Sequence, residues 1–284
     1  RAILKKAAAC AAKEGITFSF GSETEFYLFR KDEQGRPTKE PFDEAGYMDV
    51  APLDRCENVR REISLTMEKM GLIPIRSHHE RGPGQNEINF HYGKPLKAAD
   101  QMITFKMIVS TVADRYGLYA DFSPMPLSGN PGNGYHINIY ASDRDGHDVA
   151  RYAAAGIVEK IRDMTLFLNP ADASYVRFGS GTAPDRVDWS SAGDSELMYL
   201  ETWQGKTRAE LRSPDASGNP YLIYSLLIYA GLEGIRNRME LPDISGEDGI
   251  LLPGSRKEAA KLAASSSFIK NVLPQDILMV YSGK

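Results

Sequence analysis

The chain has 284 residues, 42% of them hydrophobic and 25% charged, with 34 basic against 38 acidic side chains and a formal net charge of −4. This is an ordinary globular composition, long enough to bury a sizeable core, and it holds no unbroken apolar run of bilayer-spanning length. A slightly acidic chain without a Lys/Arg stripe interleaved with aromatics does not suit a phosphate backbone, so membrane and nucleic acid are both set aside as partners. Cys10 and Cys56 are the only cysteines. They are too few for a disulfide framework and have no metal-ligand spacing, so both are expected as reduced, helix-borne core residues of a cytoplasmic protein.

The first element, residues 1–14, reads as an amphipathic helix closed by Gly15, with no signal-peptide pattern. Residue 1 is Arg rather than Met, and a part of the protein upstream is therefore expected. Further helical periodicity is expected over 54–70, 96–116, 148–168, 220–237 and 255–264. Period-two stretches predict strands at 16–30, 73–79, 84–92, 118–123, 133–141, 185–189, 196–203 and 207–212. Strands and helices do not alternate one for one, so the expected fold is α+β: an antiparallel sheet with helices packed on its outer face. The Gly-, Pro- and acid-rich stretch from 241 to 258 reads as a surface loop leading to a small helical tail.

Polar residues recur on these strands at the spacing that puts them on one face. In "GSETEF" Glu23 and Glu25 share a face, and two adjacent carboxylates repel unless a cation lies between them. In "HHERGPGQNEINF" a Gly/Pro bend is expected to return Glu80 and Glu87 to one region. "GNGYHINIY" puts His136, Asn138 and Tyr140 on one face, and "RAELRSPD" does the same for Arg208, Glu210 and Arg212. Five glutamates and one histidine suit hard divalent cations, magnesium or manganese, which could serve phosphoryl transfer. Taken singly, His136 equally suits a hydrogen-bonded core histidine, and Glu210 with Arg212 an ion pair; the spacing leaves these alternatives open.

Five motifs in order, "SETEFYLF", "HHERGPGQNEINF", "GNGYHINIY", "NPADASYVRFGSGTAP" and "RAELRSPDASGNPYL", run across nearly the whole chain. With them the sequence resembles the catalytic domain of the glutamine synthetase family. The resemblance implies a concave, funnel-like antiparallel sheet backed by helices, the architecture also shared by guanidino kinases. It implies that Glu25, Glu80 and Glu87 hold one Mg2+ or Mn2+ and that Glu23, His136 and Glu210 hold a second. Gly132 would lie against glutamate, Arg177 would grip its carboxylate, and Arg212 would close the substrate and phosphate site. Asn138 and Arg208 would lie by the nucleotide. The implied reaction is ATP-dependent phosphorylation of the glutamate side chain, followed by displacement of phosphate by ammonia or another amine. The resemblance also implies an upstream β-grasp domain and a homo-oligomeric ring in which a neighbouring subunit completes the site.

Several positions depart from the family pattern. Thr182 stands where a flap glutamate is usual, Pro131 replaces the asparagine usual before the glycine of the substrate loop, and matching from Trp189 sets Gly193 and Asp194 on an Asn-Arg pair and Tyr199 on a later arginine. Thr182 cannot act as a base near neutral pH. Residues 238–254 contain no tyrosine, so the adenylylation site of some bacterial members is expected to be absent. The leading expectation is a γ-glutamyl ligase, either making glutamine or using another amine. The alternative is a catalytically impaired relative that binds metal and nucleotide as a scaffold or regulator, with a guanidino kinase ranked below both. Arg186 and Arg208 are the candidates to replace the missing arginines.

Overall fold

The computed structural model describes residues 1–193, 195–243 and 249–283. Its first half runs α1 (Ala2–Lys13), β1 (Thr17–Lys31), β2 (Pro37–Pro41), α2 (Glu57–Lys69), β3 (Pro74–His79), β4 (Gln85–Gly93), α3 (Pro95–Arg115), β5 (Leu118–Asp121) and β6 (Tyr135–Ser142). The second half runs α4 (Ala150–Leu168), α5 (Asp172–Arg177), β7 (Trp189–Ser190), β8 (Met198–Trp203), β9 (Lys206–Leu211), α6 (Pro220–Asn237), α7 (Arg256–Ser265), α8 (Ser267–Val272) and α9 (Gln275–Ser282).

Among the described residues, all nine strands belong to one open sheet ordered β3-β4-β1-β6-β9-β8-β7, with β2 and β5 also paired to β1. Every pairing is antiparallel except β7 with β8, so the fold is α+β as expected. Alternation along β1 decides which face is which. Phe18, Phe20, Thr24, Phe26 and Leu28 are buried on the helix side. There Phe20 stacks on Tyr224 of α6, and Phe26 meets Phe105 of α3 edge-on. Each such buried ring contributes about 2–3 kcal/mol by the area it removes from water. The alternate positions, Glu23 and Glu25 among them, face the other way and are free to build a site.

Behind the sheet, α4 and α6 approach until their backbones touch. A methyl on Gly156 would drive into the carbonyl oxygen of Ala230, and one on Gly234 into that of Tyr152. Only glycine permits this approach.

The sequence expectation needs correction in a few places. Cys56 is not within α2 but at its N-cap, where its backbone N–H donates to Asp54; it is buried, whereas Cys10 is half-buried on α1. The strand expected at 185–189 enters the sheet only at Trp189. Residues before it pair with the loop read as free surface: Val187 N–H donates to Ile250 O and Leu252 N–H to Asp185 O. Local alternation cannot reveal so distant a partner. β2, with prolines at both ends, and α5, of six residues, are too short or too irregular for a periodic signal. The tail carries α8 and α9 beyond the single helix expected there.

Candidate metal centre and cleft

Strand register assembles the acids. Across the sheet Glu25 pairs with Glu87, and Glu87 with His78. Glu23 pairs with His136 on one side and Asn89 on the other, while Glu210 lies between Asn138 and Tyr199. Directly paired residues point to the same face, so these side chains all converge on the surface opposite the helices.

They form two groups. Glu23, His136 and Glu210 each offer a ligand atom within 4.8 Å of the others, and so do His78, Glu80 and Glu87. In the first group His136 Nδ1 lies 3.6 Å from Glu210 Oε1. In the second, His78 reaches Glu80 Oε1 through Nδ1 and Glu87 Oε1 through Nε2, both at 3.4 Å. Glu25 stands beside this second group without joining it. Its Oε2 accepts from Gly134 N–H at 2.9 Å and Gln85 Nε2 at 3.0 Å, which draws the carboxylate towards the 132–134 loop. The sequence expectation placed Glu25 with Glu80 and Glu87; the structure adds His78 to that pair, which sequence reasoning missed. Its parity with Glu80 in "HHE" was the available signal.

Glu80 is held by its hairpin. Its N–H donates to Gln85 O at 2.8 Å, and its own carbonyl accepts from His79 Nδ1 at 2.7 Å. The other nitrogen of His79 meets Asp43 Oδ1 at 2.9 Å. Both ring nitrogens therefore face acceptors, which requires the imidazolium form. Burial opposes that charge on His79, but Asp43 and the Glu80 carbonyl outweigh it and raise the pKa.

Burial and mutual repulsion set the electrostatics of the centre. Burial, then the charges of Glu25 and Glu87, push Glu80 up to about 8. Burial and the charges of Glu25 and Glu23 carry Glu87 well above the usual carboxylate range. Glu25 and Glu210 are raised by burial too, each further raised by Glu23, although nearby arginines and the Gly134 N–H pull the other way. His136 is driven well below its ordinary value by burial and by Arg212 and Arg177, so it is a neutral imidazole with a lone pair to give. Crowded carboxylates resisting ionisation, with an imidazole in each group, match the donor set of a hard divalent cation such as Mg2+ or Mn2+.

The remaining expected residues surround these groups. Asn138 Nδ2 donates to Glu23 Oε1 at 2.9 Å. Arg208 Nη1 contacts Glu23 Oε1 at 3.3 Å, Asn138 Oδ1 at 2.9 Å and Glu210 Oε2 at 3.2 Å, while Nη2 reaches Glu201 at 3.1 Å. Arg212 Nη1 donates to Glu210 Oε1 at 2.7 Å. The ion pair left open by sequence thus exists within the candidate ligand set. Arg177 is buried, with Nη1 on Ser213 O at 2.8 Å and Nη2 on Arg212 O at 3.1 Å. It braces the strand end that presents Arg212. Gly132 packs against it so closely that a Cβ there would lie 2.5 Å from Pro124 O and 2.9 Å from Arg177 Cγ.

Two openings lead in. A cleft of about 660 Å³ is lined by Glu23, Arg76, Asn89, Tyr140, Tyr199 and Arg208, together with Gly193 and others. A narrow second opening joins Glu25, Glu80, Gly132 and Arg177 to Thr182, on the 180–183 flap. Tyr199 lies under Arg208, whose guanidinium carbon is 5.7 Å from the ring centre. Arg186 pairs instead with Asp185 at 3.0 Å and is not among the residues lining the cleft. Asp194 lies outside the described residues.

The profile of the family described as "Glutamine synthetase, catalytic domain" matches residues 1–283. The glutamine synthetase of Clostridium saccharobutylicum is 41% identical over 256 residues, covering 85% of this chain and 58% of that protein. That of Methanosarcina mazei is 39% identical over 309 residues, covering 99% of this chain and 69% of that protein. The chain thus spans little more than half of the first of these relatives. Among solved structures, a GmaS/ADP complex superposes with a TM-score of 0.86 at 25% identity, covering 99% of this chain and 71% of that one. A Plasmodium falciparum glutamine synthetase gives a TM-score of 0.86 at 20% identity, covering 99% and 74% of the two chains, a likeness of fold alone.

Proposed function

The chain belongs to the glutamine synthetase family, and from that premise we propose that it is the catalytic portion of an ATP-dependent ligase. It would join the side-chain carboxylate of glutamate to ammonia or another amine, by way of a γ-glutamyl phosphate. The observation that carries this reading is the pair of carboxylate-imidazole groups on one sheet face, the first opening through Glu23 and Glu210 onto a cleft of about 660 Å³ and the second, through Glu80, onto the narrow opening beside Thr182. Glu23, His136 and Glu210 would hold one Mg2+ or Mn2+, and Glu80, Glu87, His78 and the adjacent Glu25 the other. Bound there, the cations neutralise charge on the phosphates and the transferred group.

The chain's own groups divide the work around them. Arg212, anchored on Glu210, presents its remaining N–H groups to developing negative charge. Gly132 and Arg177 form the wall for glutamate; each Nη of Arg177 that donates to a carbonyl keeps a second N–H for the substrate carboxylate. Asn138 and Arg208 face the nucleotide end of the cleft. A neutral flap at Thr182 brings no carboxylate to the incoming amine, which favours an acceptor other than ammonium. An upstream β-grasp domain, assembly into a homo-oligomeric ring and a cytoplasmic setting belong to the same proposal; among the described residues no helix is long and apolar enough to cross a membrane.

The test is ADP release with glutamate, Mg2+ or Mn2+ and a panel of amines. Turnover with at least one amine is expected, and none with any would overturn the ligase reading. A second reading rests on Arg208 and Arg212 being committed to carboxylates while Tyr199 stands at an arginine position. It describes a relative that binds metal and nucleotide without turnover, and it predicts ATP binding with no hydrolysis.

A further inference from the structure

Three cationic side chains line the larger cleft: Arg76, Arg208 and Arg212. Two are already engaged. Arg208 is divided among Glu23, Glu210, Glu201 and Asn138, and Arg212 is held by Glu210. The guanidinium of Arg76 has no hydrogen bond or ion pair among the described residues. It is exposed on β3, an edge strand at the opposite end of the sheet from Tyr199 on β8.

Register fixes where Arg76 points. It pairs with Asn89, which in turn pairs with Glu23, so the three share the face that carries the acid groups. Two strand spacings separate the Arg76 and Glu23 backbones by about 10 Å, a gap that an extended arginine largely bridges. Between them Asn89 Oδ1 is buried without a hydrogen-bond partner. An unengaged cation and an unsatisfied amide therefore flank the metal-proximal floor of the cleft from the β3 side.

We propose that Arg76 is a phosphate-binding residue of this cleft, supplying from β3 a positive charge that Tyr199 does not supply from β8. The ligand class is a nucleoside polyphosphate, and the assignment rests on the reading that a nucleotide occupies the cleft. Arginine suits the role because its planar fork pairs with two phosphate oxygens at once.

The experiment is calorimetric binding of ATP and of adenosine, with Mg2+, to the full protein and its Arg76→Gln and Arg76→Lys variants. An exposed side chain without partners can be exchanged without disturbing the core. Arg76→Gln is expected to weaken ATP by about tenfold, to leave adenosine unchanged, and to be partly rescued by Arg76→Lys. Unchanged ATP affinity in Arg76→Gln, beside normal binding by the parent protein, overturns the Arg76 assignment alone. So does an equal loss for ATP and adenosine. A parent protein that binds neither ligand overturns the nucleotide reading and the assignment together.

Discussion

At the acid-rich end of the site every carboxylate but that of Glu80 projects from a strand, whereas at the flap of the narrow opening Thr182 sits on a loop and carries no charge. Glu23, Glu87 and Glu210 are each fixed by partners on both sides, and Glu80 by a hairpin that Asp43 and His79 brace from behind. The 179–183 turn closes mainly on itself, with Gly179 N–H donating to Ala183 O and Ala183 N–H to Ser180 O, both at 3.1 Å. The lesson is one of tolerance. A ligand set held by register cannot lose one member without disturbing the others, but a flap can exchange its reactive side chain while the scaffold stays as it is.

The largest expected effect tests the rigid end. Glu210→Ala removes one carboxylate of the candidate centre and leaves the buried Arg212 guanidinium unpaired, so denaturant unfolding should show a loss of about 3 kcal/mol, along with loss of one bound Mn2+. If stability were unchanged, the two ends would not differ as described. Next comes the scaffold behind both ends. Gly156→Ala forces α4 and α6 apart at their closest approach and should cost about 2 kcal/mol in thermal or denaturant unfolding, with the number of bound metals unchanged.

Proton competition is a third way to sharpen the comparison. With its pKa raised to about 8, Glu80 holds its proton at neutral pH, and a cation must displace it. Mn2+ affinity in that group should therefore rise with pH and fall by up to about tenfold per unit below pH 8, read by titration calorimetry across buffers. A raised carboxyl pKa also means that the metal-free fold loses stability as pH climbs from the ordinary carboxylate range through 8. The smallest effect belongs to the flap. Thr182→Glu should change stability by no more than about 0.5 kcal/mol and leave metal binding intact while improving ammonium as acceptor in the ADP-release assay. A collapse of metal binding in that variant would join two regions that the structure separates.

Much of the rigid end was legible because side-chain alternation is a local property. Glu23 with Glu25, His136 with Asn138, and Arg208 with Glu210 and Arg212 each declare their common face within five residues. The Gly/Pro bend between Glu80 and Glu87 was legible for the same reason. What escaped depends mostly on partners far along the chain; His78 is the exception, since its parity with Glu80 in the same hairpin was a local signal. Arg76 becomes conspicuous only once Arg208 and Arg212 are seen to be engaged. Glu25 turns towards Gly134 because a loop more than a hundred residues away offers an N–H. Arg186 looked like a replacement cation by its position in sequence, yet residues 185–187 are carried off by pairing with 250–252, and the side chain settles on Asp185.

Two adjacent divalent-cation sites, if strand register forms them, can be counted as Mn2+ bound per chain, by calorimetry together with the electron paramagnetic resonance signal of free Mn2+. Two ions are expected for the parent protein and one for Glu23→Gln. One ion or none in the parent protein, or two retained in Glu23→Gln, would contradict this.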